Sequence, residues 1–286
     1  MYDGSGLPGL TTAAEILPPD PDCFFLRHRR PQPAFCDAVL GITGYAERKK
    51  GHFRQIEAAS LAVPLIFSFS SSFAIALGRV PEQHERFGCF TSGLFAGPAI
   101  IDSRGESACV QVDFTPTGAR RFFGVPMSEL AARMIPLDDI LGLPAHRLRD
   151  RLEEEPNWER RLDLVETLVY RRLLEQPPSD RQAATAIGHI AASQGTVSIT
   201  TIAAELDCSR KHLNEIFRRN VGIAPKTYAR MVRFHHVRRL AMTGQRSWAD
   251  IAQECGFSDQ AHMSRDFLEF CGETPSGWRR RCADRR

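Results

Sequence analysis

The sequence predicts an α+β protein, in which a β-rich N-terminal domain with a helical segment is followed by an all-α C-terminal domain. Three observations support this: period-two alternation of apolar residues before residue 123, helical periodicity after it, and an internal repeat in the last hundred residues. The chain has 286 residues, 43% of them apolar and 25% charged, as is usual for globular proteins with a packed core. The predicted boundaries are a flexible arm at 1–22, the β-rich domain with C-terminal helices at 23–176, a linker at 177–182 and the all-α domain at 183–286.

The β-rich part is clearest between Leu65 and Leu77. Odd positions there are large and mostly apolar, and even positions are mostly small or polar, which is the period of a strand with one buried face. Ser70, Ser71 and Ser72 are expected to form a turn that divides the stretch into two strands. Residues 110–114 alternate in the same way, and glycines and prolines separate the runs, so we expect an antiparallel sandwich or barrel.

Helical patterns follow at 128–134, 146–154 and 157–175. The third carries an apolar stripe of Leu162, Val165 and Val169, which fits either the core of the domain or the seam of a dimer. Proline residues after position 176 indicate the linker. Everything beyond the linker is helical.

Charge is distributed unevenly along the chain, although the formal net charge is only +3. Residues 181–286 contain seventeen Lys or Arg against ten Asp or Glu, whereas residues 1–180 contain 20 against 24. A basic C-terminal third indicates an interaction with nucleic acid.

An internal repeat is the most informative feature of this third. Two copies match at nine positions, with an offset of 49 residues up to Ser209 and Ser258 and of 50 from Leu213 and Met263 onward. The first copy comprises Ile202, Ala203, Leu206, Ser209, Leu213, Phe217, Gly222, Pro225 and Tyr228. The second comprises Ile251, Ala252, Cys255, Ser258, Met263, Phe267, Gly272, Pro275 and Trp278. One extra residue in the second turn accounts for the shift.

Each copy has the pattern of a helix-turn-helix unit. A short helix with one apolar face is followed by Ser209, or by Ser258 and Asp259, which are good N-caps for a second helix. The free face of that second helix carries side chains that suit guanine or adenine in the DNA major groove. The candidates for base contacts are Arg210, Lys211, Asn214, Gln260, His262, Ser264 and Arg265.

A helix between the copies is predicted over residues 225–242, because Pro225 is a favourable first helical residue. Its length of about 27 Å could hold two recognition helices about one DNA turn apart. Basic residues on it, Arg233, Arg238 and Arg239 among them, could add phosphate contacts. The candidates for phosphate contacts in both copies and this helix are Ser209, Arg218, Lys226, Arg230, Ser258 and Arg279.

Residues from about 183 to 280 resemble the DNA-binding domain of the AraC/XylS transcriptional regulators. The resemblance lies in the run from Ile251 to Phe267 and in Gly272, Thr274, Pro275, Trp278 and Arg279; Met263 and Trp278 stand where the family usually has Phe and Tyr. It implies two helix-turn-helix units joined by a linker helix, and sequence-specific binding of double-stranded promoter DNA.

The N-terminal part, chiefly residues 111–124, resembles the cupin-like sensor half of such regulators. This resemblance implies a domain that binds a small-molecule effector, forms a homodimer, or both, in a cytoplasmic regulator that could also contact RNA polymerase. The aromatic side chains Phe67, Phe69 and Phe73 are the candidates for an effector pocket.

Two other classes of protein stay open at this point. One is a cupin-like metal-dependent enzyme domain tethered to DNA, and the other is an effector-independent DNA-binding dimer. Metal-ligand spacing is absent from the sequence: His28, His52 and His84 are isolated, and none of the eight cysteines forms a C-x-x-C pair. We therefore expect no metal, no cofactor and no catalysis, and neither a secretory signal nor a membrane span is expected.

Overall fold

The computed structural model describes residues 24–70, 73–178, 180–243 and 246–283. The predicted arm lies outside these residues, as do two of the three serines of the predicted turn. The α+β fold class is confirmed, because strands occupy the first part and the described elements after residue 136 are all helices.

Eight strands form the N-terminal sheet in the part of the chain that the structure describes. They are β1 (Phe24–Arg29), β2 (Val39–Glu57), β3 (Val63–Ser68), β4 (Phe73–Leu77), β5 (Arg86–Phe87), β6 (Cys89–Ser92), β7 (Ala99–Phe114) and β8 (Met134–Pro136). The predicted division of 65–77 into two strands is thus confirmed, with β3 and β4 on either side of the serines.

The sheet is antiparallel and is organised around the long pair of β2 and β7. Its order is β1-β2-β7-β3-β6-β8, and β4 also pairs with β7 and with β5. Strands β3 and β4 pair with different halves of β7: β3 with residues 109–114 and β4 with residues 99–102. The β2–β7 ladder changes register between residues 49 and 52, as a strand does where a β-bulge bends it.

Helices α1 (Pro116–Phe123), α2 (Met127–Leu130), α3 (Asp138–Leu141), α4 (Leu143–Glu154) and α5 (Trp158–Glu175) complete the N-terminal part. The helix predicted over 128–134 is wrong in its second half, because Met134 begins β8. Helix α1 was not predicted, although its signals are present: Thr115 caps it by accepting the Gly118 N–H at 3.0 Å, Pro116 follows, and Gly124 ends it with φ +75°.

Helices α1 and α5 cover one face of the sheet with apolar and aromatic side chains. The Trp158 ring stacks on Phe25 with centroids 4.4 Å apart, and Phe114 packs on Phe122 at 4.9 Å. The stripe of Leu162, Val165 and Val169 is fully buried in this core. It is therefore part of the domain interior and not a dimer seam.

The aromatic residues predicted to line an effector pocket lie in or beside this core. Phe67 is fully buried, and Phe69 packs between Trp158 and the guanidinium of Arg161, which lies 4.3 Å from its ring centre. Phe73 begins β4 and is half-buried. The structure gives Phe67 and Phe69 a packing role, and the effector pocket at these residues stays a prediction.

The C-terminal part consists of seven helices in the described residues. They are α6 (Arg181–Ala192), α7 (Ile199–Glu205), α8 (Arg210–Asn220), α9 (Pro225–Met242), α10 (Trp248–Glu254), α11 (Gln260–Cys271) and α12 (Pro275–Ala283). Helix α9 has the bounds that the sequence predicts. No helix among the described residues is long and apolar enough to cross a membrane.

Candidate nucleic-acid interface

Helices α7 and α8 form the first helix-turn-helix unit. Ser198 caps α7, and Ser209 caps α8 by accepting the His212 N–H at 3.1 Å. The turn between them contains Asp207 in the left-handed region, with φ +48°. Ile202, Ala203, Leu213 and Phe217 are buried between the two helices and the rest of the domain.

Helices α10 and α11 repeat this arrangement. Ser247 caps α10, and Gly256, with φ +71°, occupies the repeat position of Asp207. The cap of α11 is Asp259, whose Oδ1 accepts the His262 N–H at 2.6 Å. Ser258, one of the two predicted caps, instead places its hydroxyl 3.1 Å from His262 Nδ1. The two units thus share one backbone plan, as the repeat in the sequence predicts.

The first recognition helix, α8, presents a basic surface. Arg210, Lys211 and Arg218 are exposed, and Asn214 is half-exposed. The Asn214 amide donates to the Arg210 carbonyl at 2.9 Å, a bond that it would have to exchange in order to reach a base. Leu213 and Phe217 of the same helix are buried, so α8 has a buried part and an accessible part, and base contacts by the four accessible side chains stay a prediction.

The second recognition helix, α11, presents a more polar surface. Gln260 and Arg265 are exposed, whereas His262 and Ser264 are half-exposed. The His262 ring meets Phe257 edge-on at 5.3 Å and is held by Ser258. The His262 ring therefore has a fixed orientation in the first turn of α11, whichever of its nitrogens carries the proton.

The predicted phosphate contacts divide into two groups. Ser209, Arg218, Lys226 and Ser258 are exposed and lie beside the recognition helices or on α9. Arg230 instead donates to Asp266 at 2.7 Å and also pairs with Glu269, and the hydrogen bond to Asp266 raises the pKa of Arg230 although partial burial opposes the shift. The Arg279 guanidinium lies 3.7 Å from the centre of the Trp248 ring and donates to the Arg246 carbonyl. For Arg230 and Arg279 the structure thus favours a role inside the domain over a phosphate contact.

Helix α9 separates the two units and is less available to DNA than its sequence suggests. Arg238 is only 6% exposed and lies over the rings of Phe234 and Trp278. Arg233 lies over Phe257, 4.8 Å from its ring centre. Together with Arg230, three of the four arginines on this helix therefore pack within the protein, whereas Lys226, near the first unit, is exposed.

The N-terminal part contacts both helix-turn-helix units. The Ala59 N–H donates to the Phe270 carbonyl at 2.7 Å, and the Ala59 carbonyl accepts from His235 Nε2 at 2.9 Å. At the first unit, α2 packs beside the C-terminal end of α8, where Gly222 lies against Met127. Sequence reasoning missed these contacts, because they are made largely by backbone atoms that carry no sequence signal.

Among the described residues, no group of three or more His, Cys, Asp or Glu is arranged to hold a metal ion. The cysteines described are free thiols, and burial raises the pKa of several of them, for instance that of Cys255 to about 11. A thiol with a raised pKa is a poor nucleophile at neutral pH.

Comparisons with known proteins concern mainly the C-terminal part. A family model described as a helix-turn-helix domain matches residues 202–281. The HTH-type transcriptional activator RhaR of Escherichia coli K12 is 37% identical over 75 residues, which is 26% of this chain and 27% of RhaR. The chain thus matches only about a quarter of the length of this curated relative.

Solved structures include both partial and nearly full-length neighbours. A probable AraC family transcriptional regulator from Rhodopseudomonas palustris aligns over 36% of this chain and 97% of its own, with 26% identity and a TM-score of 0.33. ToxT from Vibrio cholerae O395 aligns over 83% of this chain and 96% of its own, with 12% identity and a TM-score of 0.44.

The family match, the identity to RhaR and the two helix-turn-helix units concern the same residues. Residues 202–281 are a helix-turn-helix domain, the kind of domain that the repeat in the sequence indicates.

Proposed function

We propose that the chain is a transcription regulator that binds promoter DNA through two adjacent major grooves. The observation that carries the proposal is the pair of recognition helices, α8 and α11, on one backbone plan at the two ends of α9. Helix α9 has 18 residues, so it is about 27 Å long. Half-sites about one helical turn apart lie on one face of the duplex, at about 34 Å.

The accessible residues of the two recognition helices and α9 fall into a group suited to base contacts and a group suited to phosphate contacts. Arg210, Lys211 and Asn214 in the first unit, and Gln260, Ser264 and Arg265 in the second, supply the donors and acceptors that read base edges. Arg218 and Lys226 supply salt-dependent affinity through phosphates. Ser209 and Ser258 lie at the starts of the recognition helices, where a phosphate would be favoured by the helix dipole.

Control by a small molecule bound in the N-terminal part belongs to the same proposal. Its support is the direct contact between that part and both units, through Ala59 and through α2. An effector would act by its different affinity for two arrangements of these contacts. Homodimerisation, contact with RNA polymerase and a cytoplasmic location are the finer parts of the proposal, and the dimer surface would have to lie outside the buried stripe of α5.

The test is selection of bound fragments from genomic DNA by the full chain, at moderate salt. We expect an enriched motif with two half-elements about ten base pairs apart. The selection is repeated with Arg210→Ala and with Gln260→Ala, which should each relax the preference in one half-element only. A single undivided element, or the loss of both half-elements in either variant, would contradict the bipartite reading.

A further inference from the structure

A cavity of about 150 Å³ lies at the edge of the N-terminal sheet, away from the recognition helices. Strands β5 and β6, the end of β8, and helices α3 and α4 surround it. Its wall comprises Arg86, Phe87, Gly88, Cys89, Pro136, Asp138, Ala145, His146 and Arg149. This volume is below the roughly 300–1,000 Å³ of pockets for drug-sized ligands, so the cavity suits a small organic molecule.

The polar part of the wall is positively charged. Arg86 and Arg149, whose side chains are both exposed, contribute two guanidinium groups, and the carboxylate of Asp138 lies 3.0 Å from His146 Nε2. Among the described residues, no carboxylate lies within ion-pair distance of Arg149. The cavity therefore has a cation without a compensating charge, and guanidinium groups bind carboxylates with directional hydrogen bonds.

The helix dipole adds to this charge. Ala145 and His146 lie in the first turn of α4, a helix of 12 residues, so its positive end adjoins the cavity. The remaining wall is apolar or neutral. Phe87, Pro136 and Ala145 supply apolar surface, and burial raises the pKa of the Cys89 thiol to about 11, so that it stays uncharged.

We propose that this cavity binds a small organic carboxylate with a short apolar tail. The carboxylate would face Arg149, and the tail would lie against Phe87 and Pro136. The site differs from the aromatic set Phe67, Phe69 and Phe73 that the sequence suggested, and its positive charge comes from residues of two separate elements, β5 and α4.

The wall of the cavity is continuous with a contact to the first helix-turn-helix unit. Pro136 ends β8, and the chain before it runs back through Ala131 to α2. A Cβ atom at Gly222 would lie 2.8 Å from the Met127 carbonyl oxygen and 3.1 Å from Ala131 Cβ. A ligand against Pro136 is therefore ten residues or fewer along the chain from the contact with α8. We assign this ligand the role of an effector of DNA binding. The assignment of that role rests on the proposed function.

Binding is tested on the full chain without DNA, by ligand-observed NMR titration with butyrate. The matched probes are 1-butanol, which has the same tail without the charge, and inorganic phosphate, which has charge without a tail. We expect saturable butyrate binding in the millimolar range and no saturable binding of butanol.

Arg149→Gln should weaken butyrate binding by about tenfold or more, because a charge-assisted hydrogen bond is lost. Arg147→Gln, an exposed neighbour on α4 outside the cavity, is the control and should bind as the unmodified chain does.

Three results would overturn the site: no saturable butyrate binding, equal binding of butyrate and butanol, or unchanged binding in Arg149→Gln. Tighter binding of phosphate than of butyrate would overturn the apolar tail. The role of effector is tested separately, by measuring DNA affinity with and without butyrate, where we expect a change of at least about fivefold. Butyrate binding with unchanged DNA affinity would overturn that role alone, and intact butyrate binding without any specific DNA binding would contradict the proposed function and not the site.

Discussion

The two helix-turn-helix units have the same backbone plan and different charges. Helix α8 carries Arg210, Lys211, Arg218 and Arg219 against one acidic residue, Glu215. Helix α11 carries one basic residue, Arg265, against Asp266 and Glu269. Since phosphate contacts supply most of the affinity for DNA and base contacts supply specificity, the first unit is suited to strong binding and the second to selection.

Part of this difference in charge lies in the protein interior, at one repeat position. Ile216 in the first unit corresponds to Asp266 in the second, and both side chains are buried. Asp266 is compensated by Arg230 of α9, which also pairs with Glu269 and lies over the Phe270 ring at 4.9 Å. The second unit is thus tied to α9 by an ion pair, whereas the first has an apolar residue at the same place.

The largest effect is expected from Arg230→Ala. The substitution leaves the carboxylate of Asp266 without its cation, and Asp266 is only 4% exposed. Breaking a buried ion pair from one side is strongly destabilising, and we expect a loss of about 2–4 kcal/mol in the free energy of unfolding, discounted for the partial exposure of Arg230. Denaturant unfolding followed by tryptophan fluorescence measures it, because Trp248 and Trp278 report on the second unit.

Lys226→Ala, on the same helix, is the matched control for this change. Lys226 is exposed, so its removal should leave stability within about 0.5 kcal/mol and weaken binding to all DNA sequences alike. If Arg230→Ala kept full stability and instead reduced the salt dependence of DNA binding, Arg230 would be a phosphate contact, as the sequence alone suggests.

A second prediction concerns the glycines that follow the two recognition helices. Gly222 and Gly272 occupy the same repeat position and both adopt left-handed backbone, with φ +92° and +75°. An alanine Cβ at Gly222 would lie 2.8 Å from the Met127 carbonyl oxygen, whereas at Gly272 the nearest atom is Pro98 Cγ at 3.1 Å. We expect Gly222→Ala to lower the free energy of unfolding by about 2–3 kcal/mol and Gly272→Ala by about 1–2 kcal/mol.

The comparison of these two variants tests the contact between the N-terminal part and the first unit. Both variants suffer the same kind of backbone strain. The difference between their losses in the free energy of unfolding therefore measures how closely Met127 packs against Gly222. Equal losses in the same denaturant experiment would mean that α2 is not held against α8 in solution.

Much of the C-terminal domain could be predicted from the sequence, because its signals are local. Caps, turn residues and buried positions recur at fixed spacing, so both units and the bounds of α9 follow from the repeat. The roles of Arg230, Arg238 and Arg279 could not be predicted, because an arginine on a helix has the same local pattern whether it meets solvent, a carboxylate or an aromatic ring.

The N-terminal part was less predictable for a related reason. Strand alternation identifies β3 and β4, but pairing of both with β7 is a long-range property. The large face of residues 65–77 suggested a ligand pocket, whereas Phe67 packs in the core and Phe69 under α5. Periodicity separates two faces of a strand without saying which face meets helices.

A third prediction separates affinity from selection in DNA binding. Arg218→Ala, in the basic first unit, should weaken specific and non-specific binding alike and reduce the magnitude of the salt slope by about one. Ser264→Ala, in the second unit, should leave that slope unchanged and cost about 1–3 kcal/mol on the preferred sequence only, if it reads a base. Affinity measurements at several salt concentrations on preferred and scrambled duplexes distinguish the two. If both variants changed the salt slope and the sequence preference in the same way, the assignment of affinity to the first unit and selection to the second would be contradicted.

The smallest expected effect concerns the caps of the two recognition helices, which differ in their chemistry. Ser209 caps α8 with a hydroxyl, and Ser209→Ala should cost about 1 kcal/mol at any pH. Asp259 caps α11 with a carboxylate, and the hydrogen bond from the His262 N–H lowers the pKa of Asp259.

The folded-state pKa of Asp259 therefore lies below its unfolded value. Its stabilising contribution is complete above the ordinary pKa of an aspartate and is lost as the pH falls through the lower folded value. Unfolding midpoints of Asp259→Ala and the unmodified chain should thus differ at neutral pH and converge in acid. Asp259→Asn is the control, because asparagine also caps a helix but does not titrate, so its midpoint should stay above that of Asp259→Ala in acid as well. A difference between Asp259→Ala and the unmodified chain that persisted unchanged in acid would show that the carboxylate charge contributes nothing to the second cap.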